Sequence, residues 1–174
     1  MPDALRIESR PVRHAVIDTG RPYEAFRAEY EQAVPHFDRL EAIGVVRSGT
    51  GWEAIKSLSA ATATHGFVNF FTFDPSPVMA LAGNTGRAVT YLTGNIVAAE
   101  QGFRLDPACF LYIPLRVVIA EGANGNARLR IDFPSDQFAV FGTAVLDQVG
   151  VLFGKEFAAL LDHLQLPVPD GLAG

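Results

Sequence analysis

Cysteine, lysine and tryptophan are nearly missing from this sequence. The single cysteine, Cys109, leaves no intrachain disulfide framework. Its setting in an apolar run makes a buried, inert thiol the expectation. No Cys-x-x-Cys or His-x-x-x-His spacing occurs, which removes the common structural zinc patterns. Two lysines, Lys56 and Lys155, and scattered arginines make up the 14 basic residues, against a net charge of −5. Phosphate neutralisation needs clustered cations, so nucleic acid is not expected as a partner. No polybasic run marks a membrane surface site. No apolar run is long enough to span a bilayer, and the first ten residues lack the apolar core of a signal peptide. The expectation is a cytoplasmic protein with no membrane partner and no cofactor.

What is present is apolar bulk. Of 174 residues, 49 % are hydrophobic and 19 % charged, enough for a large buried core. Thirteen Phe against one Trp and four Tyr point to core aromatics that need no polar partner, not to a stacking platform. The length fits one domain over 1–174. Within it, 1–48 reads as an N-terminal elaboration of a strand plus a helix, 49–166 as the core, and 167–174 as a tail.

Periodicity gives the elements. Residues 1–10 read as a frayed arm and 12–17 as a strand. Phe26, Tyr30 and Val34 recur on one face of a helix over 23–34, which Pro35 stops. Over 36–47, Phe37, Leu40 and Ile43 have helical spacing, while Gly44 and Val45-Val46 lean towards extended chain. Ser48-Gly49-Thr50-Gly51 precedes a helix over 52–64, with Thr50 and Glu53 at capping-box spacing. That glycine-rich turn lacks the lysine and the full spacing of a phosphate loop. Phe67–Phe73 carries aromatics on both sides, so we expect a central strand covered on both faces.

A strand over 88–93, a short helix over 96–103 and the turn Asp106-Pro107 follow. Cys109–Ala120 reads as the longest strand, with Pro114 at an edge or bulge. Asn124-Gly125 signals a hairpin. The returning strand alternates cleanly, with Leu129, Ile131 and Phe133 on one side and Arg128, Arg130 and Asp132 on the other. Ser135 is the expected N-cap of a long closing helix, with an apolar stripe from Phe138 to Leu164 and glycines at 142, 150 and 154 that allow close approach. We expect an α+β fold: a mostly antiparallel sheet of four to five strands, helices packed on it, and a long C-terminal helix.

The order strand, Gly94-Asn95, short helix, Asp106-Pro107, Pro114-Leu115-Arg116-Val117-Val118-Ile119, Gly/Asn turn, strand and closing helix resembles the bacterial domain-of-unknown-function 302 family over about residues 50–165. Two positions depart from it. Asn95-Ile96 stands where the family has Asn-Pro, and Leu115 where the family often has Cys. The resemblance implies a compact α+β domain, often dimeric, with no established activity and no catalytic residues to carry over.

Candidate site residues follow from misplaced polarity. Arg116, inside an apolar strand, must be paired or face a polar groove, where its planar fork would suit a carboxylate or phosphate. Tyr112 shares its parity, and Asn95 and Asp132 complete a set of ligand-binding candidates. The four histidines stand at no motif spacing, and no serine sits in a nucleophile elbow. The leading expectation is a non-enzymatic homodimer binding a small apolar or anionic ligand, with Val149, Leu152 and Phe153 at the subunit interface. A small enzyme with a groove around Arg116 and Tyr112 is the second reading, and a haem or redox-partner domain the third.

Overall fold

Strand alternation builds the frame. In this computed structural model, which describes Leu5, Ile7 and residues 9–174, the hairpin β4 (Leu115–Glu121) and β5 (Asn126–Asp132) is the centre of the sheet. Leu115, Val117 and Ile119 of one strand and Ala127, Leu129 and Ile131 of the other are buried; Arg116, Arg128, Arg130 and Asp132 turn the opposite way. β1 (His14–Pro22) pairs with β5, β3 (Ala88–Gly94) with β4, and β2 (Val68–Phe73) with β3. The order is β1-β5-β4-β3-β2, and every pair is antiparallel. The expected α+β class is therefore what the chain forms.

Among the described residues, helices cover one face only. α1 (Tyr23–Ala33) lays Tyr23, Phe26, Tyr30 and Ala33 on the sheet. Tyr30 bonds the Thr93 hydroxyl at 3.0 Å, and Tyr91 donates to Glu31 at 2.8 Å, so two buried phenols keep partners. α2 (Arg39–Ser48) and α3 (Trp52–Thr62) form a hairpin beside the start of β2, and α4 (Ser76–Ala80) is a single turn. α5 (Ile96–Phe103) follows β3, capped by Asn95. α6 (Pro134–Phe138) leads into α7 (Ala144–His163). α7 buries Leu146, Val149, Phe153, Phe157, Leu160 and Leu161. Gly150 lets α6 pass, since a Cβ there would sit 2.8 Å from the Phe138 Cβ and 2.9 Å from the Pro134 carbonyl. Gly154 seats the chain end: Leu172 is fully buried, and its carbonyl fills the space a Cβ would need. The 167–174 tail is thus docked on α7 at that point. Among the described residues, no helix is long and apolar enough to cross a membrane. The arm expected over 1–10 lies for the most part outside the described residues.

Several local expectations are corrected. β2 is an edge strand, not a central one: a register shift between Asn69 and Phe71 turns Phe71 and Phe73 to the uncovered face, 52 % and 53 % exposed. The run 109–120 is not one strand. Asp106 caps a 3-10 turn over Pro107–Leu111, its side chain accepting from the Ala108 N–H, and β4 starts only after Pro114. Thr50 bonds Ser48 and leaves α3 without a side-chain cap, so no capping box forms. Thr143, not Ser135, caps the long helix. Val149 and Phe153 are core, not interface: Phe153 is fully buried and stacks on Phe138 at 6.0 Å.

Among the described residues, the second face of the sheet carries no helix. His14, Val16, Asp18, Arg116, Val118, Arg128, Arg130, Leu92, Thr90, Phe71 and Phe73 share it by register, and all are exposed or half-buried.

Candidate functional site

The α2–α3 hairpin holds an apolar hollow. Asp38 starts α2 by accepting from the Leu40 and Glu41 N–H groups at 2.8 and 2.9 Å, and Gly49, at φ +67°, ends it. Gly51 at φ +83° then opens α3. The link Gly49-Thr50-Gly51 sets the two helices against each other, but neither buries a residue completely. Their apolar side chains instead line a cavity of about 670 Å³. Ile43 and Val46 from α2, Trp52, Ile55 and Leu58 from α3, and Val68 and Ile96 beneath them form its wall. Among the described residues, Arg39 is the one charged residue in that wall, and Ser59 and Thr62 supply its hydroxyls. A hollow of this size, mostly apolar with a few polar groups, has the general form of a small-molecule site.

The residues singled out by sequence fall elsewhere and do not converge. Arg116 is exposed on the uncovered sheet face, between Leu92 of β3 and Asp132 of β5, and makes no hydrogen bond or ion pair with a described residue. Asp132 shares that face, but its carboxylate is taken by the His14 ring at 2.8 Å. Tyr112 lies at the opposite surface, half-buried against Phe138 and Phe141. Asn95 caps α5, its Oδ1 accepting from Val97 and Ala98. Of the four, Asn95 alone stands next to the apolar cavity in sequence, through Ile96.

Two groupings escape the linear pattern. The first is Glu156, which sits in the apolar stripe of α7 and takes a 3.3 Å bond from the Asn95 amide on Oε1. Its Oε2 is buried with no partner, and burial pushes the carboxyl up to about 7. An acid spaced three and four residues from buried Phe153 and Leu160 was the available signal. The second is a stacked pair of imidazoles, His65 after α3 and His163 at the end of α7, with centroids 3.5 Å apart and 17° between planes. They border a polar cleft with Arg21, Glu29 and Gln165. Nothing in their spacing foretold it, since 97 intervening positions separate them. Cys109 is buried, and desolvation raises its thiol above the ordinary range, which suits an inert thiol.

The comparisons with known proteins agree with this frame. No curated protein matches the chain. A crystal structure of an uncharacterized conserved DUF302 protein from Bacillus stearothermophilus is similar at 14 % identity, with a TM-score of 0.62 over 87 % of this chain and 97 % of that one. At that identity the likeness is one of fold. A family model described as a domain of unknown function, DUF302, matches residues 46–164, from the end of α2 through β2 to β5 and on through α7. On that match, which spans more than half of its length, this chain belongs to the DUF302 family.

Proposed function

We propose that this chain is a non-enzymatic binding domain that takes a small apolar ligand in the cavity between α2 and α3. The observation that carries this reading is the state of the hairpin. Ile43, Val46 and Trp52 are 41 %, 74 % and 40 % exposed around a hollow of about 670 Å³, although their helical spacing is that of a core face. Apolar surface left wet in this way gains free energy, about 25 cal/mol per Å², when a ligand covers it. Among the described residues, no nucleophile, base and orienting acid line the same wall.

Trp52 is the chain's only tryptophan, so its emission reports the cavity directly. Titration with the neutral fluorophore N-phenyl-1-naphthylamine should quench or shift that emission saturably. Ala42→Phe, which fills the hollow, should abolish the response while leaving the circular dichroism unchanged. A linear, unsaturable response in the parent protein would reject the reading.

The uncovered sheet face supports a homodimer as part of the same proposal. It offers Phe71, Phe73 and Val16, each about half exposed, beside the internally paired Arg128 and Asp18, an apolar surface that a second copy can cover.

A further inference from the structure

The cavity between α2 and α3 is not uniform along its length. The two helices leave a common link at residues 49–51, where Gly49, Gly51, Val46 and Trp52 make an apolar end. At the far end of α2 stands Arg39, and at the far end of α3 stand Ser59 and Thr62. Among the described residues, the charge and the hydroxyls of the lining therefore stand away from the link, with the Ser59 hydroxyl free and that of Thr62 donated to the Leu58 carbonyl.

The state of Arg39 adds to this. Arg13, Arg21, Arg27 and Arg87 are each held by a carboxylate within 3.0 Å. Arg39 is exposed and, like Arg47, Arg116 and Arg130, has no hydrogen bond or ion pair with any described residue; of these four it alone lines the apolar cavity. The nearest acid in sequence, Asp38, is turned back onto the N–H groups of Leu40 and Glu41. A guanidinium left over at the rim of an apolar hollow lacks an anion that this chain supplies.

We infer that the ligand of this cavity is a single-chain amphiphile with one anionic end, of the alkanoate class. Its tail lies along Val46, Trp52 and Ile55, and its carboxylate lies on Arg39. The inference rests on the reading of the cavity as a ligand site and adds the ligand's class and orientation. Arg39 lies outside the residues that match the family model, so the specificity belongs to this chain's own N-terminal portion. The exposed Leu40 and Val46 raise one competing source of hydrocarbon, a membrane surface, which the experiment separates.

The experiment uses the full chain and follows Trp52 emission during titration with dodecanoate, its methyl ester and dodecyltrimethylammonium, each below its micelle concentration. Dodecanoate should bind tightest and the ammonium weakest. Arg39→Gln should weaken dodecanoate about fivefold, the upper end for a solvent-reached ion pair, and leave the ester unchanged. Added salt should reduce the carboxylate's advantage in the parent protein and have no such effect in Arg39→Gln. Equal affinity for acid and ester in the parent protein would overturn the inference and leave the cavity standing as an apolar site. Binding of none of the three would overturn both readings. Sedimentation with phosphatidylglycerol vesicles, combined with no response to monomeric dodecanoate, would assign the hydrocarbon surface to a membrane and also overturn it.

Discussion

Burial of Glu156 has a measurable pH signature. Its carboxyl is pushed from an ordinary 4.5 up to about 7 because burial disfavours the charged form, with the Asn95 amide only partly offsetting this. Between those two values the folded chain keeps a proton that the unfolded chain has released. Stability linked to this group is therefore fully present below 4.5 and is lost as pH rises through 7. Glu156→Gln keeps the shape and removes the charge. Above neutral pH it should stabilise the fold by roughly 1–2 kcal/mol, about half of what the whole shift would give because the side chain is partly hydrated. In a domain of this size that raises the melting temperature by about 3–6 °C. Thermal melts at about pH 4 and about pH 8 check it, and an equal gain at both would disprove the linkage. At this scale the sequence was partly legible. The turn at Asn95 could be read from Gly94-Asn95, but its bond to Glu156 spans 61 positions and had no local sign. Arg116 stands out in the sequence as a charge in an apolar strand, yet parity cannot tell an open sheet face from a groove.

Among the elements, α7 carries the clearest test. Phe153 stacks on Phe138 beneath the sheet and is fully buried within one chain. Phe153→Ala should cost about 3–5 kcal/mol, as a core truncation does. Its melting temperature should fall by the same amount at every protein concentration, whereas an interface residue would make the fall concentration-dependent. Dilution series by calorimetry distinguish the two. The elements with one wet face were easiest to read: β5 alternates Ala127, Leu129, Ile131 against Arg128, Arg130, Asp132, as its pattern announces. β2 is harder to read: aromatics lie on both of its sides, the pattern of double burial, while the register shift after Asn69 sends two of them into solvent. α2 was ambiguous for a related reason. Its apolar residues line a cavity and bury nothing completely, so the period was present but weak, with Gly44 in its middle.

For the whole molecule, the layering sets association. One sheet face is roofed by helices, and the other shows Phe71, Phe73 and Val16. If that face pairs two copies, Phe73→Glu should give a monomer by light scattering at micromolar concentration. Its melting temperature in dilute solution should match the parent's, since the side chain is already 53 % exposed in the single chain. A parent protein that is monomeric at the same concentration would remove the dimer from the proposal. Sheet order could not be read beforehand. Pairing β1 with β5 joins His14 to Asp132 across more than a hundred positions, and only three-dimensional packing decides it. The strand that supplies the two phenylalanines also has an outer edge. Val68–Phe73 holds no charge and no proline, the composition of segments that stack into cross-β fibrils. Three local features keep it from templating such growth. Residues 35–37 bond both the N–H and the carbonyl of Asn69; the bulge beyond Asn69 breaks the straight ladder, with the Asn69 side chain accepting from the Phe71 N–H; and Asp74-Pro75 closes the strand. Asn69 takes part in two of these, through its backbone groups in the first and its side-chain oxygen in the second, so one residue at the rim of the sheet guards the edge twice over.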